Sequence, residues 1–370
     1  MSIARGLAEA AVWTAGVLNK SSVLPAHPES IFVLRNNDIG DLLAVTPLFE
    51  ALKTRFPATR ICAGIGPWNT AVLQGNPWVD EILPVSAPWH NKQTARFAAS
   101  SLLGWFAAVR YLLFSPEVRT IRSRHFPLAI DVLGSPQGSL LMVRAGIPVR
   151  LGVRGYAGGH SACARWVEFS PAEHVARSSL RFAELLGATQ LPEARPQLFL
   201  TPQELQGAEE LWRNAGTDPG NARIVLSPGA GLAEKRWPLE EFQKLARKLG
   251  AKGHTICVVG GPGDKPLGSQ ICSAAPDVAD WTGKTSLRET WAIIEKADLL
   301  ICNSSMAMHA GAAFRTKTVA LLAGSYQDAD AHAKQWGYQN DFLVLGKSRT
   351  HPEVYTAEEV LAAINPWLAR

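Results

Sequence analysis

Apolar positions along this chain alternate between two textures. Short, largely apolar runs at 31–34, 61–65, 81–85 and 128–132 read as strands of a parallel sheet covered on both faces. Between them, apolar residues recur at helical spacing. Leu42, Val45, Leu48, Phe49 and Leu52 predict a helix over 42–55, with a shorter one near 69–74 and a long apolar one around 93–113. Strands alternating with helices imply a parallel sheet covered on both faces. The second half repeats the scheme, with helices predicted over 242–248 and 287–296, and each strand stops at a small-residue turn. Arg223-Ile-Val-Leu-Ser runs into Pro228-Gly-Ala-Gly, Thr255-Ile-Cys-Val-Val into Gly260-Gly-Pro-Gly, Leu299-Leu-Ile-Cys into Asn303-Ser-Ser, and Thr318-Val-Ala-Leu-Leu into Ala323-Gly-Ser. One rim of that sheet is therefore expected to offer free backbone donors, as a nucleotide-diphosphate site requires. Prolines interrupt both periodicities at 191–205, which reads as a linker. The expected division is an amphipathic segment over 1–28, domains over 29–190 and 206–350, and a closing segment over 351–370 with a helix at 358–368.

A chain of 370 residues with 47% apolar content has material for two cores. Its five cysteines form no C-x-x-C pair, so neither a zinc signature nor a disulfide framework is indicated, and a reducing cytoplasm fits. Charge changes the picture more. Residues 1–195 hold 19 Lys and Arg against 13 Asp and Glu, whereas residues 196–370 hold 18 against 19. The first half should attract something acidic, with Arg119, Arg122, Arg124 and His125 as its densest cluster; a solvated surface loop is the alternative. No nucleic-acid-binding motif accompanies the charge. No stretch reaches the roughly 20 apolar residues of a membrane span. Two stretches fit a membrane surface instead: the face carrying Ile3, Leu7, Ala10, Ala11, Val17 and Leu18, and the run 97–114, broken by Arg110 and holding Trp105 and Tyr111. Ordinary packing against the first domain is the other reading of both.

The candidate chemistry lies at strand ends. After Ile31-Phe-Val-Leu comes Arg-Asn-Asn-Asp-Ile-Gly-Asp, a turn with two carboxylates, Asp38 and Asp41. An acidic turn is a poor phosphate cradle, so this end suits a substrate hydroxyl. Asp38 reads as a turn or cap residue, and Asp41, following Gly40, as a group for proton work. In the second half, Gly229 and Lys235-Arg236 join a glycine turn to adjacent cations, suited to a diphosphate. The G-x-x-x-x-G-K-[ST] loop and the dinucleotide fingerprint are both missing, which disfavours a nicotinamide-dependent oxidoreductase. Asp264 reads either as a ribose partner or as a helix cap. Thr282-Gly283-Lys-Thr-Ser offers backbone groups near a base, or caps. Asp328-Ala-Asp330 is too short a pattern to assign a metal.

Taken in order, Ile39-Gly-Asp41 with Thr46-Pro47, Ala129-Ile-Asp131, Pro228-Gly with Lys235-Arg-Trp-Pro238, Gly260-Gly-Pro, Thr282-Gly-Lys-Thr-Ser-Leu287 and Asn303-Ser-Ser with Met308-His309 resemble glycosyltransferase family 9, the heptosyltransferases. The resemblance implies an α/β GT-B fold, two Rossmann-like domains with parallel sheets facing a central cleft. It implies an inverting, metal-independent transfer of heptose or a related sugar, from a nucleotide sugar expected to be ADP-heptose, to a lipopolysaccharide-type glycan. By that likeness Asp41 is the general base and Lys235 stabilises the departing diphosphate. Ser304, Ser305 and His309 surround phosphates or sugar, with Gly229, Arg236, Gly261, Asp264 and Gly283 completing the donor site. The basic first half adds Arg122 and Arg124, with Asn37, as contacts for an anionic, lipid-linked acceptor. No cofactor is expected beyond the nucleotide-sugar co-substrate, and the expected location is cytoplasmic, peripheral to the inner membrane. The chain departs from the family at Ser304, where an acid is usual, at Met306 in place of glycine, and at Gly231 in place of a hydroxyl residue. Those departures motivate the alternative, a catalytically impaired nucleotide-sugar- or glycan-binding protein of the same fold.

Overall fold

A computed structural model describes residues 3–19, 23–218, 220–326 and 328–368, with side chains in the first helix described for 10–18. The chain divides into two compact units, 1–194 and 195–370. In the first unit six strands, β1 (Ser30–Leu34), β2 (Arg60–Ile65), β3 (Glu81–Pro84), β4 (Leu128–Asp131), β5 (Val149–Arg154) and β6 (Arg165–Glu168), form one parallel sheet in the order β3-β2-β1-β4-β5-β6. In the second, β7 (Arg223–Ser227), β8 (Thr255–Val258), β9 (Ala279–Asp280), β10 (Leu299–Asn303), β11 (Lys317–Leu321) and β12 (Phe342–Leu345) run parallel in the order β12-β11-β10-β7-β8-β9. Numbered from its own first strand, each sheet has the same doubly wound order, 3-2-1-4-5-6. Each therefore reverses direction once, between β1 and β4 and between β7 and β10. Ligands of open α/β sheets bind outside the carboxyl ends of the strands at such a reversal.

The central strands are buried on both faces because helices cover both. Phe32, Leu34, Cys62 and Ala129 pack into one core with Leu141 and Met142, and Ile224, Leu226, Ile256 and Ile301 into another with Phe242 and Leu245. The closing helix Ala357–Leu368 belongs to the second core through Val360 and Ile364, and Pro366 lies inside it. Four cysteines are buried and Cys272 is half-buried, all as free thiols.

Three predicted elements change. The helix expected over 42–55 is two helices, Ile39–Val45 and Pro47–Arg55. Pro47 has no N–H for the Leu43 carbonyl, and the Thr46 N–H and hydroxyl take that acceptor at 3.2 and 2.8 Å. The apolar helix expected at 93–113 begins only at Leu102. Before it, the Asn91 side chain accepts the N–H groups of Gln93 and Thr94, an Asx-type turn that competes with helical bonding. At the end of the expected linker, Pro202–Asn214 is helix: Thr201 and Glu204 form a capping box, and Pro202 sits at the first position, where its missing N–H is no loss. The elements β5, β6, β9 and β12 and the helices Pro116–Ser123, Pro136–Arg144, Val175–Leu185 and Ala329–Trp336 had no separate counterpart in the sequence pattern.

Candidate active site

The first unit's reversal lies between Leu34 and Asp131, which pair across β1 and β4. The polar turn that follows Leu34 is mostly occupied in holding its neighbours. The Asn36 and Asn37 amides donate to the carbonyls of Trp89 and His90 at 3.0 and 2.9 Å, and the Asp38 carboxylate accepts the Lys92 N–H at 3.0 Å. The Asn37 carbonyl in turn accepts from the Trp68 indole and the Asn69 amide. This grip holds His90 at φ 57°, a left-handed conformation that costs about 1–2 kcal/mol for a residue with a Cβ. Asp38 occupies the N-cap position of Ile39–Val45 without a capping bond, so its work is on segment 89–92 and not on the local turn expected of it.

Asp41, in the first turn of that helix, is partly exposed and approached by one cation, with Arg35 Nη2 at 3.5 Å from its carboxylate. Arg35 is buried, and its charge reaches two further groups. Asp131 is fully buried: burial pushes its carboxyl up, while the N–H groups of Ser135, Gly134 and Leu133 and the Arg35 charge pull it down. A Cβ at Gly138 would stand 2.1 Å from the same carboxylate, so only glycine fits beside it. Burial, and then the Arg35 charge, lower the His90 pKa, which keeps that ring neutral. Two buried polar atoms here, Arg35 Nε and Asn37 Oδ1, have no hydrogen-bond partner among the described residues. Each such atom costs about 1–3 kcal/mol.

The reversal in the second unit is organised by Asn303, the last residue of β10 and completely buried. Its Oδ1 accepts the Trp237 N–H at 2.7 Å and its Nδ2 donates to the Pro228 carbonyl at 2.7 Å, tying both ends of the 228–237 loop to one strand end. Within that loop Lys235 ends a short 3-10 turn, Ala233–Lys235, and its Nζ lies 5.8 Å from the Tyr326 ring centroid. The Tyr326 ring meets His332 edge-on, and His332 Nε2 is 3.0 Å from Ser304 Oγ. Burial, with a smaller push from Lys235, lowers the His332 pKa to about 4. Ser304, where the resemblance implies an acid, is thus matched to a ring whose protonation burial disfavours. Met306 is tied down, its sulfur 3.0 Å from the Trp291 indole nitrogen. His309 is buried and its Nδ1 lies 2.7 Å from the Tyr338 hydroxyl, so that nitrogen has an internal partner.

The rim is less free in donors than the sequence suggested. The Gly261 N–H is spent on the Asp264 carboxylate at 2.9 Å, and the Gly283 N–H on the Gly260 carbonyl at 2.8 Å. Asp264 is wedged between loops: a Cβ on Gly229 would lie 2.6 Å from its carboxylate oxygens. It stands at the N-cap position of Lys265–Ala274 without capping it. Ser286 caps the helix Leu287–Glu295, Ser305 makes no cap bond to Met306–Phe314, and Asp328 is an N-cap that accepts the Ala331 N–H at 2.9 Å. The Arg236 Nε is buried without a partner among the described residues. Among those residues no three His, Cys, Asp or Glu side chains are grouped to hold a metal.

Arg122 and Arg124 are not brought to Asp41. They precede β4, at the amino ends of the strands, where Arg124 pairs with Glu81 at the start of β3. Asp41 follows β1, at the carboxyl ends, so the sheet separates them. Arg35, His90, Tyr326 and His332 belong to none of the ordered sequence motifs, and Asp131 and Asn303 stand in motifs that give them no role of their own. A polar residue ending an all-apolar strand was the available signal for Asp131 and Asn303; His332, in a polar helix, had none.

A family model for glycosyltransferase family 9 (heptosyltransferase) matches residues 117–341. The lipopolysaccharide heptosyltransferase 3 of Escherichia coli (strain K12) is 24% identical over 359 residues, covering 88% of this chain and 94% of that relative. Among solved structures, the glycosyl transferase family 9 protein from Veillonella parvula superposes with a TM-score of 0.76 at 21% identity, over 94% of this chain and 99% of that one. The E. coli ADP-heptose lps heptosyltransferase II gives 0.70 at 20% identity, over 92% and 98%. The fold is that of these two-domain proteins, the GT-B class.

Proposed function

The chain belongs to glycosyltransferase family 9, and from that premise we propose that it transfers heptose, from ADP-heptose, to a hydroxyl of an anionic, lipid-linked envelope glycan with inversion at the anomeric carbon. The observation that carries this reading is the state of Asp41. Both acids of the β1 turn are partly exposed, but Asp38 is held by the Lys92 N–H and ammonium, while Asp41, at the sheet reversal, has among the described residues only the longer 3.5 Å contact with Arg35. A carboxylate so placed takes the proton of an acceptor hydroxyl as its oxygen bonds the anomeric carbon. The bond from that carbon to the diphosphate oxygen breaks as the new one forms, and ADP leaves with the electron pair. Lys235 neutralises charge on the departing phosphate, and Arg236, the next residue of the loop, joins it. Ser304 and Ser305 lie beside the same loop, at the end of β10. No step in this scheme calls for a metal. The names of the E. coli relatives, a lipopolysaccharide heptosyltransferase and an ADP-heptose enzyme, support the choice of donor and acceptor class.

Ser304 in place of the usual acid supports a second reading, a protein that binds nucleotide sugar without turning it over. Purified protein incubated with ADP-heptose and other nucleotide sugars, plus a heptose-deficient lipopolysaccharide extract, separates the two. Acceptor-dependent ADP release is expected with ADP-heptose. Tight nucleotide binding with no release from any donor would establish the second reading.

A further inference from the structure

The helix Leu102–Phe114 is inverted relative to an ordinary surface helix. Its small residues Gly104 and Ala108, with Leu112, face inward, and it packs on helix Pro136–Arg144. Outward it presents Leu102, Leu103, Phe106, Val109, Leu113 and Phe114, a stripe at helical spacing interrupted only by Arg110. The exposure is large: 74% for Leu102, 71% for Phe106 and 68% for Phe114. The first helix, Ile3–Asn19, packs on the same helix Pro136–Arg144 and leaves Trp13, Val17 and Leu18 exposed at 60%, 60% and 76%. A contiguous apolar stripe of this kind on a water-soluble surface marks an interaction site.

Charge says what the stripe meets. Arg96 adjoins exposed Phe97, Arg110 lies in the stripe, and the Arg119 guanidinium donates to the Phe114 carbonyl at 3.2 Å. None of these three arginines forms an ion pair with a described residue. Between Arg96 and Arg122 the only acid is Glu117, and its carboxylate is turned inward, accepting the Tyr111 hydroxyl and the Ser86 N–H. A face that is apolar and positive opposes pairing with a second copy of itself. It complements a surface that is apolar beneath and anionic above. At about 1.5 Å per residue the 13-residue helix is too short to cross a bilayer core of about 30 Å, and among the described residues no helix is long and apolar enough to do so.

We propose that the outer stripe of Leu102–Phe114 lies in the interface of an anionic lipid bilayer, with Arg96, Arg110 and Arg119 engaging the headgroups. Such docking delivers the first unit to a lipid-linked acceptor, and in purpose it rests on that reading; the test needs neither donor nor acceptor, so its failure leaves the transferase reading standing. The full chain is floated with vesicles of phosphatidylethanolamine and phosphatidylglycerol and, separately, of phosphatidylcholine alone. Binding is expected to the anionic vesicles and to weaken with salt. The pair Phe106→Ser with Leu113→Ser should lower partitioning more than tenfold, since each buried side chain of this size contributes well over one order of magnitude. Arg96→Glu with Arg119→Glu should lower it about tenfold or more. All four positions are exposed, and an unchanged melting temperature confirms intact folding. Absence of wild-type binding to anionic vesicles, or full binding by both variants, overturns the proposal. A dimer in sedimentation that dissociates in the Phe106/Leu113 variant, with vesicle binding unchanged, would identify a second copy as the occupant instead.

Discussion

The two sheet reversals share a strand order and differ in almost everything else. At the first, the carboxyl groups of Asp41 and Asp131 and the ring of His90 are gathered around one buried guanidinium, that of Arg35. At the second, a neutral amide, Asn303, is the organiser, and the cations Lys235 and Arg236 sit on a loop it pins in place. Equal topology therefore fixes where a ligand is met, because strand ends and helix starts converge there. It does not fix which ligand. A rim that spends its polar groups around a carboxylate suits a hydroxyl to be deprotonated, and a rim with cations on a glycine loop suits a leaving diphosphate.

The sharpest way to break this contrast is at Asp41. Asp41→Ala should reduce kcat by about 100- to 10,000-fold while leaving ADP affinity, measured by calorimetry, within about twofold. An equal loss of both would mean that the first rim serves the nucleotide too.

Acid should then distinguish the rims. In the unfolded chain His332 takes up a proton near its ordinary 6.5, whereas in the folded second unit it does so only near 4. Between those values the unfolded form binds the extra proton, so the stability this neutral ring contributes is present above pH 6.5 and lost as the pH falls to about 4. The slope is about 1.4 kcal/mol per pH unit, about 3 kcal/mol over the window. Asp131 has the opposite sign. Its carboxyl is raised by burial, so the folded first unit holds a proton more readily than the unfolded chain, and its contribution falls as the pH rises. Amide hydrogen exchange across pH 4–7 should show the second unit losing protection on acidification, and His332→Gln should flatten that loss. A second unit whose protection ignores pH would contradict the neutral, enclosed His332.

The smallest effect is expected at the other end of the first sheet. Arg122→Ala and Arg124→Ala should leave kcat unchanged, and losing the surface pair Arg124–Glu81 should cost at most about 1 kcal/mol in urea titration. A large rise in acceptor KM for either variant would show that the acceptor reaches the amino rim of the strands as well.

Much of this architecture is local and hence written in the sequence. Runs such as Ile31-Phe-Val-Leu and Leu299-Leu-Ile-Cys form doubly covered strands because they have no polar face to turn to water, and the strand ends are marked by the polar or glycine residues that follow. The ordered motifs from Ile39-Gly-Asp41 to Met308-His309 pointed to the family, since spacing along a chain needs no knowledge of pairing. Element edges were less legible where a side chain competes with the backbone, as at Asn91 before the Leu102 helix, or where proline starts a helix, as at Pro202.

What only the tertiary structure decided is which strand ends stand together. Asp131 joins Arg35 and Asp41 across 90 residues because β4, and not β3, pairs with β1 on that side. Asn303 reaches Trp237 and Pro228 because β10 pairs with β7. Arg122 and Arg124, nearer in sequence to Asp131 than Asp41 is, fall at the opposite rim because a strand carries the chain from one end of the sheet to the other. Periodicity and composition report on a residue's immediate neighbours along the chain; the sheet order is set by the packing of whole strands and helices. That packing decided that, of two similarly exposed acids in the opening turn, Asp38 clamps a loop and Asp41 faces the buried Arg35.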